Sequence, residues 1–244
     1  MTYGVVTVTL NSATTIGRTI ASVFAQTRLP AEYIFVDGDS TDGTNELLEG
    51  AIAAERRLGV RCKLIHQHGS GIPQAWNIGL RELRTDVVCI LNSDDWYEPE
   101  AARTVMSCFA ADPAADVVIG AGRYVGNGDG RASTICRPRP FGVLPVAMAV
   151  IHPACFVRRE IYVRVGEFDE RYQVAADYDF IYRCRKARVR FARCDDVLVN
   201  VRTGGFAETH RALARREMAE IGARHSAVPL LPPLGRAVRW ALGR

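Results

Sequence analysis

Through the first 120 residues, short β-rich apolar runs alternate with stretches whose apolar residues recur at helical spacing, and this alternation leaves few folds open. Val5 to Leu10 reads as a strand; Asn11-Ser12 then caps a helix marked by Ile16, Ile20, Val23 and Phe24. The pattern repeats with Tyr33 to Val36 and a helix whose inner stripe is Leu47, Leu48, Ala51 and Ile52. Cys62 to Ile65 and Val87 to Leu91 add two strands, the second after a helix through Ala75 to Leu83, and Val117 to Ile119 adds a fifth. Strands that alternate with helices predict the α/β class, with a mostly parallel sheet covered on both faces. Beyond residue 120 the alternation stops at the turn cluster Gly126-Asn127-Gly128-Asp129-Gly130. A helix through Asp177 to Lys186, a short strand at Val197 to Val201, and helices through Arg211 to Ala223 and near the C-terminus follow. No repeat, low-complexity tract or linker divides the chain, so a single domain over residues 1–244 is expected.

Composition narrows the function classes. With 48% hydrophobic and 24% charged residues, neither disorder nor a membrane bundle is indicated. The longest apolar run, Val143 to Ile151, is interrupted by Pro145 and is too short to span a bilayer. No basic leader precedes the first apolar stretch, which predicts a cytoplasmic protein. The seven cysteines are odd in number and form no Cys-x-x-Cys pair, so they read as reduced thiols. A net charge of +4 gives no reason to expect a nucleic-acid partner. The tail Gly235 to Arg244 mixes Arg with Trp and Leu, which suits either a solvated terminal helix or peripheral contact with the inner face of the plasma membrane.

In an open parallel sheet, ligands bind beyond the carboxyl ends of the strands. Here those ends are Thr9 and Asn11, then Asp37-Gly38-Asp39-Ser40, then Asn92-Ser93-Asp94-Asp95. Adjacent aspartates repel, and a divalent cation carrying phosphates would neutralise the pair. Their other reading is a cap for the helix that begins near Pro99. Three polar clusters on one sheet edge favour the ligand reading over independent caps.

These clusters sit inside longer motifs. Ser22 to Thr27, Phe35-Val36-Asp37-Gly38-Asp39-Ser40-Thr41-Asp42-Gly43-Thr44 and Asn92-Ser93-Asp94-Asp95 resemble, in order and spacing, the signature of glycosyltransferase family 2. So do Gly71-Ile72-Pro73-Gln74-Ala75-Trp76-Asn77-Ile78-Gly79, His152 to Arg159, Gly166 to Asp169 and Ala176-Asp177-Tyr178-Asp179-Phe180. The resemblance covers residues 5 to 205 and implies the GT-A fold, with residues 1–120 binding a nucleotide sugar, 121–205 the acceptor, and 206–244 a C-terminal helical extension. It implies an inverting transfer from a nucleotide-diphosphate sugar, a UDP-sugar first and GDP- or dTDP-sugars as alternatives. The acceptor would be a saccharide or lipid-linked saccharide in cell-envelope glycan synthesis.

By position, Thr9, Asn11, Asp37, Gly71, Asn77, Asn92 and Ser93 would contact the nucleotide sugar. Asp94, with Asp95 as either ligand or cap, would hold Mn²⁺ or Mg²⁺, and Asp177 would be the catalytic base. Asp179 competes for that role but sits at helical spacing from Arg183, with which it is expected to pair. His152 and Arg158 are the acceptor-side candidates. Two positions depart from the pattern: Asn92 replaces a common acid and brings no charge, and Ala176 stands where Glu often precedes the base.

Other readings fit less well. Gly120-Ala121-Gly122 is followed by no helix, as a dinucleotide loop requires. A nucleotidyltransferase would open with a Gly-rich basic loop where Thr9 to Thr14 stand. His66 and His68 lack a third partner for zinc. A non-catalytic nucleotide-sugar or glycan-binding module of the same fold remains the alternative.

Overall fold

The computed structural model describes residues 1–69, 71–126 and 133–225, with the backbone alone at residues 55 and 56. Part of the expected turn cluster, at residues 127–130, and the C-terminal tail lie outside the described residues. In chain order the first half is β1 (Tyr3–Thr9), α1 (Ile16–Phe24), β2 (Glu32–Asp37), α2 (Thr44–Ala54), β3 (Arg61–His66), α3 (Ile72–Glu82) and β4 (Val87–Ile90). The four strands pair in parallel in the order β3-β2-β1-β4.

Successive residues of a strand face opposite sides of a sheet, and here both sides are apolar. Val6, Val8, Ile34, Val36, Val88 and Ile90 pack with Trp76 and Leu80 of α3. Their neighbours Tyr3, Val5, Tyr33, Phe35, Val87 and Cys89 pack with Ile16, Ile20 and Val23 of α1. Helix α3 approaches β1 so closely that a Cβ on Gly79 would fall 2.4 Å from Val6 Cγ1.

The second half adds β5 (Trp96–Tyr97), α4 (Ala101–Ala111), β6 (Val117–Val125), β7 (Thr134–Cys136), β8 (Cys155–Arg158), α5 (Arg159–Val165), α6 (Ala176–Lys186), β9 (Phe191–Arg202), α7 (Phe206–Thr209) and α8 (Arg211–His225). It extends the sheet as β4-β8-β6-β9-β5, with β7 on β6. Strand β8 runs antiparallel to both β4 and β6, while β9 runs parallel to β6. The expected parallel sheet is therefore parallel in its first four strands and mixed beyond them. Two reversals across β8 leave β1, β2, β4, β6 and β9 pointing the same way, so all five end on one edge.

Strand β9 is longer than its apolar centre predicts. Its first part carries Arg193, Asp195 and Asp196 and pairs with β6 through a register shift, so hydrogen bonding rather than hydrophobic alternation makes it a strand. All seven cysteines are free. Among the described residues, no helix is long and apolar enough to cross a membrane.

Candidate active site

The common edge of β1, β4, β6 and β9 opens into a groove of about 1220 Å³. Its wall includes Thr9, Asn11, Gly71, Asn92, Ser93, Asp94, Asp95, His152 and Asp177, nine of the twelve residues singled out by sequence.

The loops after β1 and β2 are tied to each other. Asn11 and Asp39 adopt left-handed backbone, with φ of 50° and 64°, a conformation that Asn and Asp tolerate better than other residues with a side chain. Ser40 Oγ accepts the Asn11 N–H at 2.8 Å, and Asn11 Oδ1 accepts the Thr41 N–H at 3.0 Å. Beneath them Asp37 is fully buried and accepts bonds from Thr9 Oγ1, the Ser40 N–H and hydroxyl, and Asn45 Nδ2. Burial opposes its ionisation, but those bonds outweigh burial and hold the carboxyl below its ordinary value. Asp37 thus organises the groove floor without lining it.

At the end of β4, the Asn92–Asp95 turn divides its two acids. Asp95 is buried; its Oδ1 accepts the Arg202 N–H at 3.1 Å and its Oδ2 accepts Asn92 Nδ2 at 3.2 Å. Helix α4 starts only at Ala101, with Glu100 at its N-cap position, so Asp95 does not cap it. Asn92 supplies a donor where an acid would have added a third negative charge. Asp94 is half-buried on the groove wall, and a Cβ on Gly205 would lie 3.3 Å from its Oδ2. Burial pushes both acids up, Asp95 to about 8 with the charge of Asp94 adding to the effect, while Arg202 pulls Asp94 the other way.

On another wall of the groove, Asp177 stands in the first turn of α6. Its Oδ1 accepts the Tyr178 N–H at 2.7 Å. Burial raises its carboxyl to about 6, against the lowering effect of that bond and with a smaller push from the charge of Glu217. A carboxylate tuned to that range suits proton abstraction near neutrality. His152 packs at 5.0 Å from the Trp76 ring and 5.6 Å from Phe168, and burial lowers it to about 4, so it is neutral at physiological pH.

The sequence model described as Glycosyl transferase family 2 matches residues 4–166, about two thirds of the chain. The chain belongs to glycosyl transferase family 2. A Mycobacterium bovis relative named PGL/p-HBAD biosynthesis glycosyltransferase is 29% identical over 185 residues, covering 75% of this chain and 69% of the relative. S. aureus TarS 1-349, solved in complex with UDP-GlcNAc, aligns at a TM-score of 0.68 with 18% identity over 99% of this chain and 76% of that chain. The mannosyltransferase PcManGT from Pyrobaculum calidifontis, solved with GDP-Man and Mn2+, aligns at 0.64 with 18% identity, covering 98% and 80%. This family 2 glycosyltransferase therefore has the GT-A fold, and the matched region ends before Asp177.

Three expected site residues of this glycosyltransferase lie off the groove: Asp37, as described, Asn77 and Arg158. Asn77 is buried in α3 and latches residues 168–170: its Nδ2 donates to Phe168 O at 2.9 Å and Glu170 Oε1 at 3.0 Å, and its Oδ1 accepts the Phe168 N–H at 2.9 Å. Arg158 sits at the other end of the sheet because β8 is antiparallel. That reversal brings the residues before Cys155 to the groove and carries Arg158 to the start of β4, opposite Val87, where it donates to Ala115 O at 2.7 Å and Pro113 O at 3.0 Å.

Sequence reasoning missed Tyr124, Glu170 and Arg202, all on the groove wall. Tyr124 and Arg202 lie near the carboxyl ends of β6 and β9, so the strand-end rule would have found them had the direction of those strands been known.

Among the described residues no cluster of three His, Cys, Asp or Glu side chains could hold a metal by itself. The two adjacent carboxylates nevertheless fit a hard divalent cation that completes its shell with water and substrate phosphate oxygens. Such a cation would relieve the repulsion from Asp94 that adds to the effect of burial on Asp95.

Proposed function

We propose that this glycosyltransferase is inverting and metal-assisted, and moves a sugar from a nucleotide-diphosphate sugar, a UDP-sugar first, to a saccharide or lipid-linked acceptor in cell-envelope glycan synthesis. One observation carries the reading: Asp94 and Asp177 come from opposite halves of the chain and line the same groove. The residues of 1–120 on that groove suit a donor site and those of 121–205 an acceptor site. Thr9, Asn11, Gly71, Asn92 and Ser93 offer polar and backbone groups for the nucleoside and sugar, with Asp37 fixing the loops from below. Asp94 would hold Mn²⁺ or Mg²⁺, with Asp95 behind it; the ion, when bound, supplies positive charge for the diphosphate.

Asp177 takes the proton of the acceptor hydroxyl. That oxygen forms the new bond to the anomeric carbon as the bond to the diphosphate oxygen breaks, and the diphosphate leaves with the electron pair. Attack opposite the leaving group inverts the configuration. His152, neutral and held by Trp76 and Phe168, shapes the acceptor wall. Support for a nucleotide-sugar donor comes from the UDP-GlcNAc and GDP-Man complexes of the structural neighbours. Peripheral membrane contact through residues 235–244 belongs to the same proposal and would bring the groove to lipid-linked acceptors.

The test is release of nucleoside diphosphate from a panel of UDP-, GDP- and dTDP-sugars, each with and without Mn²⁺ and with saccharide and lipid-linked acceptors. Acceptor-dependent release with an inverted product is expected. Binding of UDP-sugars without release under any acceptor would sink the transferase assignment of this groove.

A further inference from the structure

Helix α8 is mostly exposed, and its buried stripe is Glu217, Ile221 and Gly222. A carboxylate in such a stripe, 6% exposed, requires bonded partners. Glu217 has three, all backbone: Oε1 accepts the Gln173 N–H at 2.8 Å, and Oε2 accepts those of Val174 and Ala175 at 2.9 and 2.8 Å. Successive N–H groups converging on one anion form a rigid concavity. They belong to the three residues immediately ahead of α6, whose N-cap, Ala175, has no side chain able to cap it. Gln173, Val174 and Asp177 all line the groove, so one side chain more than forty positions away holds the segment that presents Asp177. Close packing keeps α8 in place: a Cβ on Gly222 would lie 2.9 Å from Pro145 O.

We propose that Glu217 is a positioning residue for Asp177: it fixes residues 173–175, and so the start of α6, and places a negative charge beside the base. The proposal rests on reading Asp177 as the base. It makes α8 part of the transfer machinery rather than an appendage to the sheet. Among the described residues, three titratable groups on other elements face Asp177: Tyr124 of β6, Cys155 of β8 and Glu217. Burial pushes Tyr124 to about 12 and Cys155 well up, so both are neutral across the working range. Burial does most to raise the Asp177 carboxyl, and Glu217 adds the charge that strengthens it further as a proton acceptor.

Glu217→Gln, Glu217→Asp and Asp177→Asn in the full chain test this, using UDP with Mn²⁺ as the binding probe and the active donor and acceptor pair from the release assay. Three readouts apply: amide exchange at residues 173–175, the Asp177 carboxyl titration by ¹³C NMR, and the pH profile of kcat. For Glu217→Gln the three amides should exchange faster and the Asp177 midpoint should fall. Its kcat should drop about tenfold or more, as small misplacements of catalytic groups do, with UDP binding held within about twofold; Glu217→Asp should recover part of the loss. Wild-type kcat and an unmoved Asp177 midpoint in Glu217→Gln would overturn the proposal, as would a purely thermal loss with both intact. If Glu217→Gln fails to fold, the wild type decides: slow exchange at 173–175 supports the anchor and rapid exchange refutes it. Full turnover in Asp177→Asn would remove the base reading instead, while leaving the Glu217-dependent titration of Asp177 measurable.

Discussion

Asp177 and Asp179 lie two positions apart on α6 and have opposite surroundings. Asp177 lines the groove, whereas Asp179 is sealed inside, with Arg183 Nε at 2.6 Å and His225 Nε2 at 2.9 Å from its two oxygens. Residues two apart on a helix point in different directions, so this helix turns one carboxylate to the groove and uses the other to pack α8 and Arg183 against itself.

Asp177→Asn is expected to lower kcat by about 10² to 10⁴, the usual worth of a positioned general base, with UDP binding unchanged by calorimetry. The wild-type rate should fall as pH drops through about 6, where the carboxyl takes up its proton. A variant with near-wild-type turnover would remove Asp177 from the mechanism.

Asp179→Asn is expected to act on stability instead. Removing one partner of a buried ion pair costs about 3–5 kcal/mol, because Arg183 loses its counter-charge. Denaturant unfolding should register that loss, while transfer per folded molecule stays close to wild type. A selective loss of kcat at unchanged stability would return Asp179 to the list of candidate bases.

The Asp94–Asp95 pair should leave a signature in stability against pH. Asp95 is raised to about 8 when folded, against roughly 3.9 in an unfolded chain. The folded state binds the extra proton between those values, so this contribution is full at low pH and is lost as pH rises through about 8. His152 has the opposite sign, but with a folded value of about 4 and an unfolded one near ~6.5 it acts only below that pH. Between about pH 6.5 and 8, the apo melting temperature should therefore fall in the wild type and stay flat in Asp95→Asn. Mn²⁺ with UDP should restore the wild type at the upper end; parallel slopes in the two proteins would refute the assignment.

Gly79→Ala tests the close packing of α3 on β1. The added methyl meets Val6 at 2.4 Å on the present backbone, and overpacking of this kind costs about 1–3 kcal/mol. Urea unfolding should show it, and an unchanged midpoint would mean that α3 is free to shift.

Much of the architecture was legible in local pattern. Strands β1, β2 and β4 announce themselves because a parallel sheet buried on both faces demands apolar runs such as Val5 to Val8 and Tyr33 to Val36, while β3, at the sheet edge, is legible from the run Cys62 to Ile65. The pairing of Asp179 with Arg183 was equally readable, being a matter of helical spacing. By contrast β8 is only four residues long, and no local feature reveals its direction. That direction sends His152 to the groove and Arg158 away from it.

Residue types and periods along the chain thus determined the α/β class, the strand ends that carry polar clusters, and the motifs of the family. Tertiary structure alone decided which of those polar groups face the groove. Asp37 and Asn77 lie off the groove and satisfy themselves with buried partners, Asp95 reaches its wall with both oxygens bonded by Arg202 and Asn92, Asp94 and Asp177 line it, and Glu217 reaches the groove segment from α8. The reason is physical: ionisation and hydrogen bonding depend on burial and on groups brought close by folding. Arg202 beside Asp95 and Glu217 beside Ala175 are separated by 107 and 42 positions in sequence, beyond the reach of any local pattern.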